Sequence, residues 1–294
     1  MTQRPGPQLA IIGGTGVYAM DSLQDVETVE IDTPFGRPSD GIRIGTLEGV
    51  RVAFLARHGQ GHRLLPAEVP YRANIWALKS LGVERIISIS ACGSMKEAYA
   101  PGHIVIPDQL FDRTRGRAGT FFGDGLVAHI SFAHPFCHEL SHLLCQCARD
   151  AGAVTHEGGT YLIIDGPRFS TRGESLIFRQ WGVDIIGMTA IPEAQLAREA
   201  EICYALMAHV TDYDCWHESK EPVTVEMVLK VLQRNTALAQ QTIVRVARAL
   251  AAGQLPAECA CHSALKDAIL TPAHLVPAAT KTRLQPIIGR YMPA

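Results

Sequence analysis

The chain has 294 residues, 47% of them hydrophobic and 19% charged, with a formal net charge of -2. This is an ordinary globular composition with no basic face for nucleic acid and no polybasic membrane patch, so small molecules are the expected partners. No apolar run approaches the length of a membrane-spanning helix, and the polar start from Met1 to Pro7 has no signal-peptide core, so a cytoplasmic location is expected.

Apolar runs alternate with turn signals through the first half of the chain. They predict a helix from Tyr71 to Leu81, which Gly82 ends. They also predict strands at Leu9–Ile12, Val50–Ala56, Arg85–Ser90 and His103–Ile106.

The second half continues the alternation of strands and helices. Strands are predicted at Tyr161–Ile164, Val183–Ile186 and Cys203–Val210, and helices at His138–Ala151, Glu193–Ala200 and Val225–Ala252. Strands alternating with helices predict an α/β fold: a single domain over residues 1–294, with a central mixed, twisted sheet flanked by helices. Residues 254–294 are less periodic and are interpreted as a C-terminal extension of that domain.

A glycine-rich turn, Gly13-Gly14-Thr15-Gly16, follows the first predicted strand. Glycines allow the backbone to approach an anion closely, so that N–H groups and the Thr15 hydroxyl can point at phosphate oxygens. The turn matches neither G-x-G-x-x-G nor G-K-[ST], which argues against dinucleotide binding and a P-loop. A plain tight turn is the alternative.

Arg57 and His58 stand at the end of the second predicted strand, where open α/β sheets bind ligands. The donor fork of arginine matches phosphate geometry. His58 and His62 are candidate donors to phosphate or ribose, although a lone histidine is more often a surface or core residue.

Two carboxylates, Asp212 and Asp214, follow the apolar strand that begins at Cys203. Residues two apart on an extended segment point the same way, so both acids can face one pocket. A carboxylic acid can protonate a ring nitrogen and a carboxylate can accept from an exocyclic amine. An Asx turn, a helix cap or a divalent-cation site is the alternative.

Eight cysteines are scattered through the chain, and four of them form the C-x-C pairs Cys145/Cys147 and Cys259/Cys261. Zinc sites usually offer C-x2-C pairs at set spacing, so no metal site is expected. Reduced, partly buried thiols are the favoured interpretation.

Together these motifs resemble the trimeric purine nucleoside phosphorylase family, and within it the branch that acts on 5'-methylthioadenosine. The similarity runs from about Leu9 to about Leu232 and includes Gly13-Gly14-Thr15-Gly16, Asp32-Thr33-Pro34-Phe35-Gly36, Leu55-Ala56-Arg57-His58-Gly59, Asn74-Ile75-Trp76-Ala77-Leu78-Lys79, Ala91-Cys92-Gly93-Ser94, Asp165-Gly166-Pro167-Arg168-Phe169-Ser170, Met188-Thr189, Pro192-Glu193 and Thr211-Asp212-Tyr213-Asp214-Cys215-Trp216.

The resemblance implies a reaction: inorganic phosphate, a co-substrate, splits 5'-methylthioadenosine into adenine and 5-methylthioribose 1-phosphate without a metal or organic cofactor. It also implies a homotrimer or a dimer of trimers. Adenosine is the expected weaker substrate. The alternatives are a methylthioinosine or 6-oxopurine nucleoside phosphorylase, a nucleosidase that uses water, and a non-catalytic nucleoside-binding protein.

The resemblance also implies roles for individual residues. The residues implied to hold phosphate are Thr15, Arg57, His58, Ala91 and Thr189. Those implied to contact the purine are Phe169, Ser170, Asp212 at N7 and Asp214 at the 6-amino group. Those implied to line the sugar and its 5' side are Met188, Val223, Val225, Val228 and His129, the last donated across a subunit boundary. His62, from its place in the sequence, is a further candidate for contact with the ribose.

Several positions bear on base specificity, on the 5' group and on disulfides. Family members that handle 6-oxopurines carry Asn at the position of Asp212, so Asp212 favours adenine, whereas Gly187 is typical of the 6-oxopurine branch. An apolar 5' lining suits a methylthio group. The C-terminal Cys259-Ala260-Cys261 resembles archaeal-type tails that carry disulfides, which makes Cys137–Cys203 the first bridge to test.

Overall fold

The structure is a computed structural model that describes residues 6–14, 16–17, 20, 22–217, 224–256 and 259–293. Two predicted site residues, Thr15 and Val223, lie outside the described residues.

A mixed sheet forms the centre of the molecule. Over the described residues its strands are β1 Leu9–Gly13, β2 Gln24–Val29, β3 Ile42–Leu47, β4 Val50–Ala56, β5 Arg85–Ser94, β6 Ile104–Ile106, β7 Gln109–Arg113, β8 Thr155–Glu157, β9 Thr160–Ile164, β10 Ile185–Gly187 and β11 Cys203–Asp212. The order is β2-β3-β4-β1-β5-β10-β9-β7, and β11 pairs with both β5 and β6, while β8 pairs with β6. The predicted α/β class with a mixed sheet is confirmed.

Four parallel strands form the part of the sheet that matters for ligand binding. β1 pairs in parallel with β4 and with β5, and β5 pairs in parallel with β11. The carboxyl ends of these strands therefore meet at one edge, which is where ligands bind in sheets of this kind. Both faces are covered, because one apolar core packs on each side of the strands.

The helices are α1 Tyr71–Ser80, α2 His138–Asp150, α3 Arg172–Gln180, α4 Ala190–Glu199, α5 Val225–Ala251, α6 Ala278–Arg283 and α7 Gln285–Ile288. Within the described ranges no helix is long and apolar enough to cross a membrane. The predicted helix over residues 225–252 ends one residue late, and the predicted start at Glu193 is three residues late.

Several elements were missed or predicted too short. β2 is almost fully exposed and polar, so it lacks the apolar alternation by which a strand is recognised. α3 was missed although its capping box, Thr171 with Glu174, is a sequence signal for a helix start. β11 continues to Asp212, two residues beyond the predicted end, which makes the first acid part of the strand.

The C-terminal segment packs against the body of the chain. Leu265, Val276 and Ile288 are buried in one of the two cores, and Trp76 Nε1 donates to the Arg283 carbonyl at 3.0 Å. These contacts explain how a weakly periodic segment is held: short helices and turns supply single apolar anchors.

Four cysteines from distant parts of the chain meet beside this segment. The Sγ atoms of Cys137, Cys203, Cys259 and Cys261 all lie within 4.8 Å of one another, and we call them the cysteine cluster. All eight cysteines are free thiols, as favoured from the sequence, and the Cys137–Cys203 bridge suggested by the resemblance is not formed.

Candidate functional site

The two acids lie together where β11 ends. Asp212 is the last residue of the strand, and Asp214 follows in the left-handed region with φ of 48°. Asp212 Oδ1 accepts from the Asp214 N–H at 2.8 Å, and Asp212 Oδ2 accepts from the Thr211 hydroxyl at 2.7 Å. The acids therefore meet through an Asx-type turn, the alternative interpretation of the sequence, and not through strand alternation.

Burial sets the protonation of both acids. Asp212 and Asp214 are each 7% exposed. Burial raises the pKa of Asp212 to about 6, against the hydrogen bonds from Thr211 and from the Asp214 N–H, which lower it. Burial likewise raises the pKa of Asp214. Because Asp214 Oδ2 is buried without a hydrogen-bond partner among the described residues, it is available to a ligand.

Gly93 makes room for the acids on the neighbouring strand. A Cβ atom at Gly93 would stand 3.0 Å from Asp212 Oδ1, 3.1 Å from Ile186 and 3.2 Å from Asp214 Cβ. Trp216 anchors the turn from the other side, since its Nε1 donates to the Ser94 carbonyl at 2.6 Å. The position of the acids is thus fixed by contacts with β5.

Arg57 has a carboxylate partner within the chain, which the sequence did not predict. Its guanidinium is buried and pairs with Glu193, with Nε 2.9 Å from Oε2 and Nη2 3.0 Å from Oε1. Burial opposes the charge, but Glu193 outweighs it and holds the pKa of Arg57 above its usual value. Nη1 donates to the Ile89 carbonyl at 3.0 Å, which leaves its second hydrogen without an acceptor among the described residues.

Glu193 was quoted as part of a motif but given no role by the sequence. Its Oε1 also accepts from Ser88 Oγ at 2.8 Å and from the Tyr204 hydroxyl at 2.9 Å. This carboxylate therefore joins α4 to β5, to β11 and to the residue that follows β4. Nothing in its local sequence separates it from a surface glutamate at a helix start.

His58 and His62 stack at a centroid distance of 4.2 Å beside Arg57. His58 Nδ1 lies 2.8 Å from the Leu64 carbonyl, which assigns the ring proton to Nδ1. Burial, and after it the charge of Arg57, lowers the pKa of His58 to about 4. The neutral ring thus presents Nε2 as an acceptor, which fits a protonated phosphate oxygen, whereas the sequence suggested a donor.

Ala91 lies in β5, two residues before Gly93, whereas Met188 and Thr189 follow the end of β10. Residues 90 and 91 are half-buried in an otherwise buried strand, as expected where a strand borders a cleft. Thr189 is the buried N-cap residue of α4, yet its side chain makes no cap hydrogen bond. Its hydroxyl is therefore suited to an anion, whereas the backbone leaves helical geometry at Ile191, with φ of -110° and ψ of 130°, so no regular helix N-terminus stands at Thr189.

Arg117 positions two loops of the site and was not found from the sequence. Its Nη1 donates to the carbonyls of Met188 at 2.8 Å and Ile191 at 2.6 Å. Its Nη2 donates to the Asp165 carbonyl at 3.0 Å. The guanidinium thereby fixes the segment that carries Met188 against the segment that leads to Phe169.

Gly187 has a packing reason of its own. A Cβ atom there would stand 2.0 Å from the Tyr161 hydroxyl and 2.7 Å from its ring. Tyr161 is buried, with its hydroxyl 3.2 Å from Ser90 Oγ. The glycine is therefore required by Tyr161, which accounts for it without reference to the purine base.

The remaining predicted residues differ in exposure. Phe169 is 37% exposed, whereas Ser170 is buried and its Oγ has no hydrogen-bond partner among the described residues. His129 is exposed on a loop, and its own backbone N–H donates to the Ala268 carbonyl at 2.9 Å. Val225 is 64% exposed and Val228 half-buried, both at the start of α5.

The register of the strands places the glycine turn and the acids at different positions along β5. Ile12 of β1 pairs with Ser88 of β5, whereas Val210 of β11 pairs with Cys92. The difference is four residues along β5, or about 13 Å at 3.3 Å per residue. α5 packs on the turn, since Gln240 Nε2 donates to the Gly16 carbonyl at 3.0 Å.

The sequence model of the phosphorylase superfamily matches residues 8–248 of this chain. An S-methyl-5'-thioadenosine phosphorylase of Geobacter sulfurreducens is 55% identical over 97% of this chain and 99% of its own. The crystal structure of a methylthioadenosine phosphorylase from an antarctic soil metagenomic library is 50% identical, with a TM-score of 0.92 over 97% of this chain and 99% of that one. A mutant adenosine/methylthioadenosine phosphorylase from Schistosoma mansoni, in complex with methylthioadenosine, is 38% identical with a TM-score of 0.79 over 84% and 92%.

Proposed function

The chain belongs to the phosphorylase superfamily, and on that premise we propose that it uses inorganic phosphate to split 5'-methylthioadenosine into adenine and 5-methylthioribose 1-phosphate. The observation that carries the choice of base is the buried pair of acids. Asp212, with its pKa raised to about 6 by burial, can hold a proton for N7, and the free Oδ2 of Asp214 can accept from the 6-amino group.

Phosphate binding is assigned to the opposite end of the same edge. The N–H groups of Gly14 and Gly16, the unengaged hydrogen of Arg57 Nη1, and the side chains of His58 and Thr189 are the donors and acceptors offered there. Ala91 lies between this end and the acids. The separation along β5 leaves room for a ribose between phosphate and base.

The mechanism follows from these positions. Phosphate attacks C1' as the glycosidic bond breaks, and its charge stabilises the positive sugar. Asp212 donates a proton or a strong hydrogen bond to N7, which makes adenine a better leaving group. Arg117 keeps the Met188 segment in place against the ribose. These steps use side chains of the chain and the co-substrate phosphate.

Specificity for the 5' group is assigned to the start of α5. Val225 and Val228 offer apolar surface, which suits a methylthio group, and Val223 is proposed with them. An apolar lining rejects a hydroxyl only modestly, about a hundredfold, so adenosine is the proposed weaker substrate. A 6-oxopurine phosphorylase is the second candidate, but Tyr161 accounts for the one residue, Gly187, that favoured it.

The proposed active unit is a homotrimer or a dimer of trimers, with His129 entering a neighbour's site. His129 is exposed on its own chain, as such a residue must be before assembly. His62 is proposed to contact the sugar beside His58. The cytoplasmic location stays a prediction.

The deciding experiment measures base release from methylthioadenosine, adenosine and methylthioinosine, each with and without phosphate. Phosphate-dependent release of adenine from methylthioadenosine, fastest of the three, is expected. Release of base without phosphate identifies a nucleosidase. Faster release of hypoxanthine identifies the 6-oxopurine enzyme.

A further inference from the structure

Three separate parts of the chain deliver the cysteine cluster. Cys137 is the N-cap residue of α2, and Cys203 is the first residue of β11. Cys259 precedes a short 3-10 helix at Ala260–Ser263, which contains Cys261. The cluster therefore lies where the C-terminal segment crosses the start of β11 and α2.

The spacing of the sulfurs is that of ligands around a shared ion. All four Sγ atoms lie within 4.8 Å of one another, and those of Cys137 and Cys259 are 3.7 Å apart. A tetrahedral ion with metal–sulfur bonds of about 2.3 Å places its sulfurs about 3.8 Å apart. A disulfide requires about 2.05 Å, which the 3.7 Å pair would reach only by moving.

We propose that Cys137, Cys203, Cys259 and Cys261 bind one zinc ion that fastens the C-terminal segment to the sheet. Four thiolates in tetrahedral array form a closed structural zinc site. Binding replaces the four thiol protons by bonds to the ion and releases the protons to solvent. The C-x2-C rule missed the site because two ligands come from α2 and β11.

Positive charge lies close to the cluster. Cys137 stands at the positive end of the 13-residue helix α2. Arg85 lines the same cleft as three of the cysteines and places a positive charge beside them.

Two further groups lie next to the sulfurs. Glu139 Oε2 is 3.4 Å from Cys137 Sγ and 3.7 Å from Cys259 Sγ, and the thiols donate to it. His262 Nε2 is 3.4 Å from Cys203 Sγ. Once zinc has replaced the thiol protons, Glu139 has nothing to accept from the sulfurs, so of these two groups His262 is the one that can hold a thiolate in place. In the loaded site, the Nε2–H of His262 donates to the Cys203 thiolate.

The site is structural because it is remote from the acids. Cys203 and Asp212 begin and end the ten residues of β11, so they lie about 30 Å apart at 3.3 Å per residue. Zinc is therefore expected to stabilise the C-terminal segment and to leave the chemistry at Asp212 unchanged. The inference does not rest on the proposed function.

The first test measures the zinc content of the full chain by elemental mass spectrometry. The chain is purified under reducing conditions and dialysed against metal-free buffer. About one zinc per chain is expected. The double variant Cys259→Ala/Cys261→Ala is expected to hold at least tenfold less. Its matched control is Cys145→Ala/Cys147→Ala, the other C-x-C pair, which is buried in α2 and is expected to keep its zinc.

A second measurement keeps the proposal testable should a variant fail to fold. Cobalt(II) added to the chelator-treated wild-type chain should give the intense visible absorption of tetrahedral thiolate coordination. Alkylation after denaturation in chelator, without reductant, should then label all eight cysteines. Fewer labelled cysteines would reveal disulfides, and eight labelled cysteines with neither zinc nor a cobalt spectrum would show plain thiols. Either result overturns the proposal.

Discussion

The two ends of β11 gather different chemistry by different routes. At its carboxyl end, Asp212 and Asp214 come from one short stretch of sequence and are shaped by a local turn. At its amino end, Cys203 meets three cysteines that are distant in the chain. A contiguous motif announces the first site, whereas only the fold assembles the second.

The difference also concerns what burial does at each end. Burial of the acids raises the pKa of Asp212, so the carboxyl end holds a proton for chemistry at a cost in stability. At the amino end, buried thiols gain stability if they share an ion. The same strand thus joins a site that destabilises the fold to one proposed to stabilise it.

The largest expected effect concerns the buried pair of Arg57 and Glu193, which contacts the amino end of β11 through the Tyr204 hydroxyl. Glu193→Gln keeps the shape of the side chain but leaves Arg57 buried without a counter-charge, so the free energy of unfolding should fall by about 3–5 kcal/mol. Chemical denaturation measures it. Glu48→Gln, which breaks the exposed pair with Arg248, is the control and should change little. Equal losses in both variants would contradict the role of the buried pair.

The second largest effect concerns catalytic activity, which depends on the carboxyl end of β11 and not on its amino end. Asp212→Asn should lower kcat/KM for methylthioadenosine by about a hundredfold or more, because N7 loses its acid. The same variant should lose much less on methylthioinosine. Asp150→Asn, an exposed aspartate at the end of α2, is the control and should match the wild type. An unchanged rate for Asp212→Asn removes this acid from the mechanism.

The variant Asp212→Asn, which should lose activity, should gain stability at high pH. The pKa of Asp212 is about 6 when folded and 3.8 ordinarily, so the folded chain binds the extra proton between these values. Its stability therefore falls as pH rises through this window and stays lower above it. Because Asn does not titrate, Asp212→Asn should be more stable than wild type at pH 8 by about 3 kcal/mol.

Thermal or chemical unfolding at both ends of the pH range checks this sign. The gain in stability should shrink to about 0.5 kcal/mol at pH 4, where wild-type Asp212 is protonated when folded and partly protonated when unfolded. A gain that is equally large at pH 4 would show that the ionisation of Asp212 is not its cause.

The smallest effect concerns the 5' side of the carboxyl end. Val228→His adds a donor for a 5'-hydroxyl and should raise the ratio of adenosine to methylthioadenosine activity by about tenfold, or about 1.4 kcal/mol. Steady-state kinetics with both nucleosides measure the ratio. Val154→His, at an exposed valine on the loop between α2 and β8, is the control. The same rise in both variants would contradict a position beside the substrate.

The sequence predicted most of the parallel core, because buried strands such as β4 are short apolar runs and α5 has a long amphipathic period. It also indicated Asp212, Asp214 and Arg57 as candidate site residues, because they stand at the ends of predicted strands. It did not find the partners that lie far along the chain: Glu193 for Arg57, Arg117 for Met188, and Cys137 for Cys259. A side chain's long-range partner depends on packing, which local spacing does not encode.

The contact between Gly187 and Tyr161 has an evolutionary consequence. Any larger residue at 187 needs the ring at 161 to shrink, so the two positions are expected to change together across related chains. A substitution at one of them alone would be selected against for steric reasons, whatever nucleoside is bound. Sorting relatives by the pair, and not by residue 187 singly, would separate adaptation of the core from adaptation to substrate.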